Sequence, residues 1–457
     1  MRIDSEVLKK YNRAGPRYTS YPPAPHFGRE FGSDEFYDEI VRTNGESNPP
    51  LLSIYVHIPF CPSRCYFCGC NVTITRNRRR IDRYVRYLKA EIYAVARLLG
   101  SDRRVVQMHW GGGTPTYLSA DQIRDLSSYI RTQFHFDDAE VSIEADPRGL
   151  GPEHLPAIRE AGFNRISLGV QDLNPIVLES VNRAQSELET LSVIDQCREV
   201  GFQSINVDLI YGLPYQSMES YSHTIDTIIA ASPDRLAVFN YAHVPWLKKH
   251  QRAIPDHALP TPRERLNMLT MIVDRLTDAG YEYIGMDHFA RPEDELARAL
   301  ETNSLHRNFQ GYTTHAEAET YAFGVSAISQ LRNVYAQNVK DEKAYMKRID
   351  NGELPVELGY RLHDDDHVRR HIIMQLLCNG RVSKRETEQR FGIDFDEYFK
   401  ESLNGLNEFV NDGLVEIEDG VIRIRETGRL ISRNIAMTFD AYLNAGDGDA
   451  ARYSRTI

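Results

Sequence analysis

Six short apolar runs, most of them followed by a helix-like segment, dominate residues 53–245. They are SIYVHIPF (53–60), VVQMHWGGG (105–113), AEVSIEADP (139–147), RISLGVQD (165–172), SINVDLIYGLP (204–214) and RLAVFNYAHVP (235–245). After the first interval they recur roughly every 25–40 residues, the length of a βα unit. Their apolar interiors suit parallel strands covered by helices. Helical periodicity fills the spaces between them, as in RYVRYLKAEIYAVARLL (83–99), DQIRDLSSYIRTQF (121–134) and ELETLSVIDQCREVG (187–201). The pattern predicts an α/β fold built on an open (β/α)6-type partial barrel. A seventh run, EYIGMDHFA (282–290), is expected to extend or close the sheet.

Polar residues gather where these strands end: His57, Gly111–Gly113, Glu144, Asp146, Gln171, Asp208, Asn240 and His243. In a parallel barrel those ends surround one mouth, the usual place for an active site.

The flanks differ from the centre. Residues 1–50 contain PRYTSYPPAP (16–25), whose prolines disfavour helix and predict an extended N-terminal arm covering the active site. The barrel and its extension are expected over 51–358. Residues 359–457 read as a mainly helical, winged-helix-like C-terminal domain. Helices are predicted at 364–380, 384–392 and 395–414, a hairpin at 415–424 around Asp419-Gly420, and one more helix after it. That domain holds 14 Lys and Arg against 18 Asp and Glu, and the whole chain carries a formal charge of −11. Both balances argue against nucleic acid as a partner, because binding it needs cationic groups against phosphates. No apolar stretch is long enough to span a membrane, and the N-terminus lacks the apolar core of a secretory signal. A cytoplasmic monomer is expected.

Four of the six cysteines lie in HIPFCPSRCYFCGCN, as Cys61, Cys65, Cys68 and Cys70. The first three have the spacing C-x3-C-x2-C. Three thiolates on one loop suffice for three irons of a cubane cluster and leave the fourth open for chemistry. Zinc is the alternative, although structural zinc sites usually use two ligand pairs separated by a longer spacer. Cys197 and Cys378 are isolated and read as ordinary buried thiols.

This loop resembles the signature of the radical S-adenosylmethionine enzymes, with an aromatic residue just before the third cysteine. The resemblance implies a [4Fe-4S] cluster on Cys61, Cys65 and Cys68, whose free iron chelates S-adenosylmethionine and whose electron cleaves it to a 5′-deoxyadenosyl radical. Gly111-Gly112-Gly113-Thr114-Pro115 is no phosphate loop. It resembles the segment that receives the amino group of S-adenosylmethionine in that family.

A narrower resemblance runs through nearly the whole chain, to the oxygen-independent coproporphyrinogen III oxidase family. It is carried by GPRYTSYP (15–22), YVHIPFC (55–61), CYFCGCN (65–71), HWGGGTPTYL (109–118), GVQD (169–172), DLIYGLP (208–214), FNYAH (239–243), MDHFARP (286–292), HRNFQGYTT (306–314) and GVSAIS (324–329). The related haem-chaperone group shares the three-cysteine loop but resembles a shorter chain without the arm or the fourth cysteine. The resemblance implies anaerobic conversion of two propionates of coproporphyrinogen III to vinyl groups, two molecules of S-adenosylmethionine, and a low-potential electron donor. It implies that Tyr55, Gly112, Glu144 and Ile328 contact the cluster-bound S-adenosylmethionine. Phe67, Gly113, Thr114, Gln171, Arg183, Asp208 and Ala242 match contacts to the second molecule, and Arg183 is expected to fork onto a carboxylate. Cys70 is expected to be catalytic without binding the cluster. The substrate's four carboxylates require cations, for which Arg17, Arg76, Arg78–Arg80, Arg291 and Arg307 are candidates.

Overall fold

The computed structural model describes residues 5–100, 102–316, 318–443 and 453–456. In chain order its main strands are β1 (Leu52–Ile58), β2 (Arg104–Gly112), β3 (His135–Ala145), β4 (Arg165–Gln171), β5 (Ser204–Tyr211), β6 (Arg235–Asn240), β7 (Glu282–Gly285), β8 (His288–Ala290), β9 (Glu319–Phe323), β10 (Ile328–Gln330), β11 (Val334–Asn338), β12 (Val356–Arg361), β13 (Arg381–Ser383), β14 (Val415–Glu418) and β15 (Val421–Ile424). The chain divides into two compact units. One comprises Phe27–Leu209 and Glu317–Arg361; the other comprises Met1–His26, Ile210–Ala316 and Leu362–Ile457. These are not the three consecutive segments expected from composition.

In the first unit β1 lies between β9 and β2 and is parallel to both, and β2, β3, β4 and β5 continue side by side in parallel. Antiparallel β10, β11 and β12 follow on the β9 side. One face of the parallel strands is fully apolar. Ile54, Val56, Met108, Trp110, Ile143, Ile166, Leu168 and Val207 are all buried there, and Trp110 meets Phe163 edge-on at 5.0 Å between ring centroids. Helix Arg78–Ala96 buries Ile81, Tyr84, Val85, Leu88, Ile92 and Val95, the three-and-four spacing of one helical face. Asn77 starts it by accepting a hydrogen bond from the Arg80 N–H. Ser119 and Gln122 cap helix Ala120–Gln133 reciprocally.

In the second unit β6, β8 and β7 form an antiparallel sheet. The run 282–290 is therefore a hairpin, and it extends the sheet beyond β6 as expected. Met286 and Asp287 connect its two strands, and Met286 takes a left-handed φ of +50°. A connection this short permits only antiparallel pairing. The C-terminal segment has helices Asp364–Asn379, Lys384–Phe391 and Lys400–Asn411 and the expected hairpin β14–β15. Strand β13, missed in the sequence, pairs with β15 to complete a three-stranded wing. The single helix expected after the wing is broken into short helical turns at Glu426–Ile431, Ser432–Ala436 and Met437–Phe439.

Residues 5–26 pack into the core of the second unit. They begin with helix Ser5–Tyr11, and Leu8, Tyr11, Tyr18 and Tyr21 sit in one core with Ile372, Phe399 and Phe439. Tyrosine suits this role because the ring is buried while the hydroxyl finds a partner. Tyr18 donates to Asp440 Oδ2 at 2.8 Å and Tyr11 to Asp412 Oδ2 at 2.6 Å. Residues 27–50 group instead with the first unit. No helix among the described residues is long and apolar enough to cross a membrane.

Candidate functional site

The face of the parallel strands opposite the apolar one is polar, and strand register assembles it. Tyr55 pairs with His109, His109 with Ser142, Glu144 with Ser167, Ser167 with Asn206, and Gly169 with Asp208. Residues two apart on a strand share a face, so each strand contributes polar groups to one concave row. His109, Ser142, Ser167 and Asn206 were missed as site residues. Their signal was the polar–apolar alternation in VQMHW, VSIEA, RISLG and INVDL.

Hydrogen bonds hold this row in place. Tyr55 stacks on His109 with ring centroids 5.9 Å apart, and its hydroxyl lies 3.2 Å from His57 Nδ1. His57 Nε2 lies 3.1 Å from the Asn71 carbonyl, so Nε2 carries the proton and Nδ1 accepts from Tyr55. Burial lowers the His57 pKa and favours this neutral form. Glu144 contacts His109 Nε2 at 3.2 Å and accepts from the Gly112 N–H at 3.2 Å. Burial pushes its pKa up, but His109, the Gly112 N–H and His57 outweigh that and hold the carboxyl below its ordinary range. Asp208 accepts from Asn206 at 2.8 Å and Ser167 at 3.1 Å. Burial and the charge of Glu144 nevertheless raise it to about 6. Neighbouring carboxyl groups are thus driven apart in acidity.

The glycine segment closes one end of the row. Gly112 has φ +113°, and a Cβ there would meet the His57 ring at 2.6 Å. A Cβ on Gly113 would meet the Pro59 backbone at 2.7 Å. Only glycine lets this turn lie directly against β1. The Gly113 N–H donates to Ile58 O at 2.8 Å and the Thr114 N–H to Phe60 O at 3.0 Å, joining the turn to the start of the cysteine loop.

Phe60–Cys61 pairs in parallel with Thr73–Ile74 and fixes both ends of that loop. The Tyr66 N–H donates to Val181 O and Asn182 Nδ2 to Arg64 O, which anchor its centre. Cys61 Sγ lies 3.3 Å from Thr114 Oγ1. Burial, then the neighbouring Cys68 and Cys65, push the Cys61 thiol up to about 11. Cys65 Sγ faces two guanidinium groups, Arg183 at 3.6 Å and Arg148 at 3.8 Å. Three cysteines on one loop, with two guanidinium groups at Cys65, fit a cluster that offers a separate iron to each thiolate. Cys70 is exposed and hydrogen-bonds Cys68, which holds its pKa above the ordinary range.

Gln171 ends β4 with a left-handed φ of +73°. Arg183 is buried, but its fork is already filled by a protein carboxylate: both Nη atoms reach Asp146 at 3.1 Å, and Nη2 also donates to Gly169 O. Its Nε has no partner among the described residues. Ile328, on β10, pairs with Gln337 of β11 and is only half-buried, which leaves apolar surface for a ligand. Phe67 and Thr114 are likewise half-buried. Ala242 belongs to the second unit, where it lines a cavity of about 790 Å³. Cys197 and Cys378 are buried, as expected of ordinary core thiols.

Of the cationic candidates, Arg17 lines that cavity. Arg78 donates to the Tyr117 carbonyl and Arg80 is paired with Glu342 at 2.8 Å. Arg291 lies over the Tyr281 ring and donates to Ser232. Arg307 is buried with Nε and Nη1 unpartnered.

The model of the radical SAM superfamily matches residues 55–228, and that of the HemN C-terminal domain matches 362–431. Oxygen-independent coproporphyrinogen III oxidase from Salmonella typhimurium is 47% identical over 441 residues, covering 96% of this chain and 95% of the relative. That from Pseudomonas aeruginosa is 45% identical, covering 100% and 99%. The solved coproporphyrinogen III oxidase HemN from Escherichia coli, described as a radical SAM enzyme, superposes with a TM-score of 0.92 at 45% identity, covering 97% of this chain and all of that one. The α/β partial barrel with a mainly helical C-terminal region, expected from the strand repeat, is the fold the two share.

Proposed function

We propose, from the premise that this chain belongs to the oxygen-independent coproporphyrinogen III oxidase family of the radical SAM superfamily, that it turns two propionates of coproporphyrinogen III into vinyl groups without oxygen. The product is protoporphyrinogen IX, for haem synthesis. Each propionate loses a β-hydrogen atom, CO2 and one electron. The cofactors are a [4Fe-4S] cluster and S-adenosylmethionine, and when bound they supply the electron and the carbon-centred radical that no side chain provides.

The chain's own residues bind, orient and shield. Cys61, Cys65 and Cys68 hold the cluster, and Arg148 and Arg183 offset thiolate charge at Cys65. Tyr55, Gly112, Glu144 and Ile328 bind the first S-adenosylmethionine. Glu144, kept ionised by His109, accepts from ligand hydroxyl or ammonium groups. Phe67, Gly113, Thr114, Gln171, Arg183, Asp208 and Ala242 serve a second molecule. Because Arg183 is engaged with Asp146, its offer to that ligand is Nε rather than the whole fork. Cys70 acts in catalysis without ligating the cluster. The N-terminal arm covers the active site, an external low-potential donor delivers the electron, and the enzyme works as a cytoplasmic monomer.

The observation that carries this reading is the cysteine loop tied by backbone hydrogen bonds to the glycine turn, beside the polar row that ends in Glu144 and Asp208. Anaerobic reconstitution with iron and sulfide, then incubation with coproporphyrinogen III, S-adenosylmethionine and a low-potential reductant, tests it. Protoporphyrinogen and CO2 are expected. Stable haem binding with no decarboxylation would assign the chain to the chaperone group instead.

A further inference from the structure

Resting on the function proposed above, we infer that the 790 Å³ cavity of the second unit is the subsite for the propionate carboxylates of the tetrapyrrole, with Arg17, Arg265 and Arg433 as its cationic contacts. The volume lies within the range of about 300–1,000 Å³ usual for small-molecule sites.

The charge balance of this cavity points to an anionic ligand. Its lining includes Arg17, Arg265 and Arg433, against the carboxylates of Asp256 and Asp287. Asp287 is taken by Arg17, and Asp256 lies 3.1 Å from His243 Nε2. Arg265 has no hydrogen-bond or ion-pair partner among the described residues. Arg433 is only 7% exposed and donates solely to carbonyls, at Gly15 (2.7 Å), Pro16 (3.1 Å) and Thr456 (3.3 Å). Arg307, 5% exposed with two guanidinium nitrogens that have no partner among the described residues, is close enough to repel both Arg17 and Arg433. Arg17 has Asp287, but Arg265, Arg307 and Arg433 have no carboxylate partner among the described residues, and packing such cations together is unfavourable in the free protein. Carboxylates from a ligand relieve it, and guanidinium groups match them geometrically. Trp246, which also lines the cavity, is 60% exposed. An exposed indole offers a flat apolar surface to a macrocycle.

Ala242 shares the lining, so the carboxylate of a second S-adenosylmethionine is the competing occupant. Arg265→Gln separates the two, since it removes a charge but no hydrogen bond. Anaerobic turnover is measured against coproporphyrinogen III and against S-adenosylmethionine, and coproporphyrin III binding is followed by fluorescence. The porphyrinogen KM and the coproporphyrin Kd are expected to rise on the order of tenfold. The S-adenosylmethionine KM should move less than about twofold, and Arg265→Lys should recover most of the affinity. Arg124→Gln, an exposed substitution in the other unit, should behave as the parent. Unchanged tetrapyrrole constants in Arg265→Gln, beside an active parent, would overturn the subsite and leave the function standing. A rise confined to the S-adenosylmethionine KM would overturn it in favour of the competing occupant. A reconstituted parent that neither binds nor decarboxylates the tetrapyrrole would remove the function and the subsite together.

Discussion

His109 joins Ser142 to Glu144: its Nδ1 lies 2.6 Å from Ser142 Oγ and its Nε2 3.2 Å from Glu144 Oε1. The imidazole therefore aims the carboxylate along the polar face while stacked on Tyr55. His109→Phe keeps the stack and removes both polar contacts. We expect it to weaken S-adenosylmethionine binding roughly tenfold, about 1.4 kcal/mol, with iron and sulfide content unchanged. The S-adenosylmethionine dependence of the reduced cluster's EPR signal measures this.

Asp208 titrates near 6, above its unfolded value. The folded chain then holds more protons than the unfolded chain between about pH 4 and 6. Its contribution is most favourable below pH 4 and is lost as pH rises through 6. Asp208→Asn removes the penalty, so its stability relative to the parent should grow across that window and level off above about pH 7. A gain of about 1–2 kcal/mol is expected after allowing for partial solvation. Denaturant titrations of both proteins at pH 4, 6 and 8 measure the difference.

Gly112→Ala should damage the site locally. Its Cβ would enter the His57 ring, and its φ of +113° is unfavourable for alanine. We expect loss of stability on the order of 2 kcal/mol and of S-adenosylmethionine binding by more than tenfold. Urea unfolding and ligand titration test the two effects separately.

Arg103 and Glu319 form an ion pair at 3.0 Å with side chains 0% and 3% exposed. Arg103→Met strands the carboxylate and should cost about 3–5 kcal/mol. The double variant with Glu319→Met should recover much of that loss, as a double-mutant cycle on chemical denaturation would show.

Much of this was legible locally. Strand periodicity placed β1 to β6 within a few residues, because branched and aromatic residues in runs of this length favour extended backbone whatever surrounds them. Cys61, Cys65 and Cys68 stood out as candidate ligands because they lie within eight consecutive residues. His109 and Asn206 were not, because a polar residue inside a strand gains meaning only when register sets it beside another. The partners of the N-terminal tyrosines were hidden for the same reason: proline-rich sequence reads as an extended arm, yet Tyr18 reaches Asp440 from 422 residues away.

The sequence by itself determined the βα repeat and the reaction family, since each is written in contiguous patterns that act through local backbone preference or side-chain chemistry. Only the tertiary structure decided that Arg183 is committed to Asp146, that His109 orients Glu144, and that Arg265 and Arg433 share one cavity with Arg17. Those pairings depend on distance in space, and electrostatic and hydrogen-bond energies fall off with that distance, not with separation along the chain.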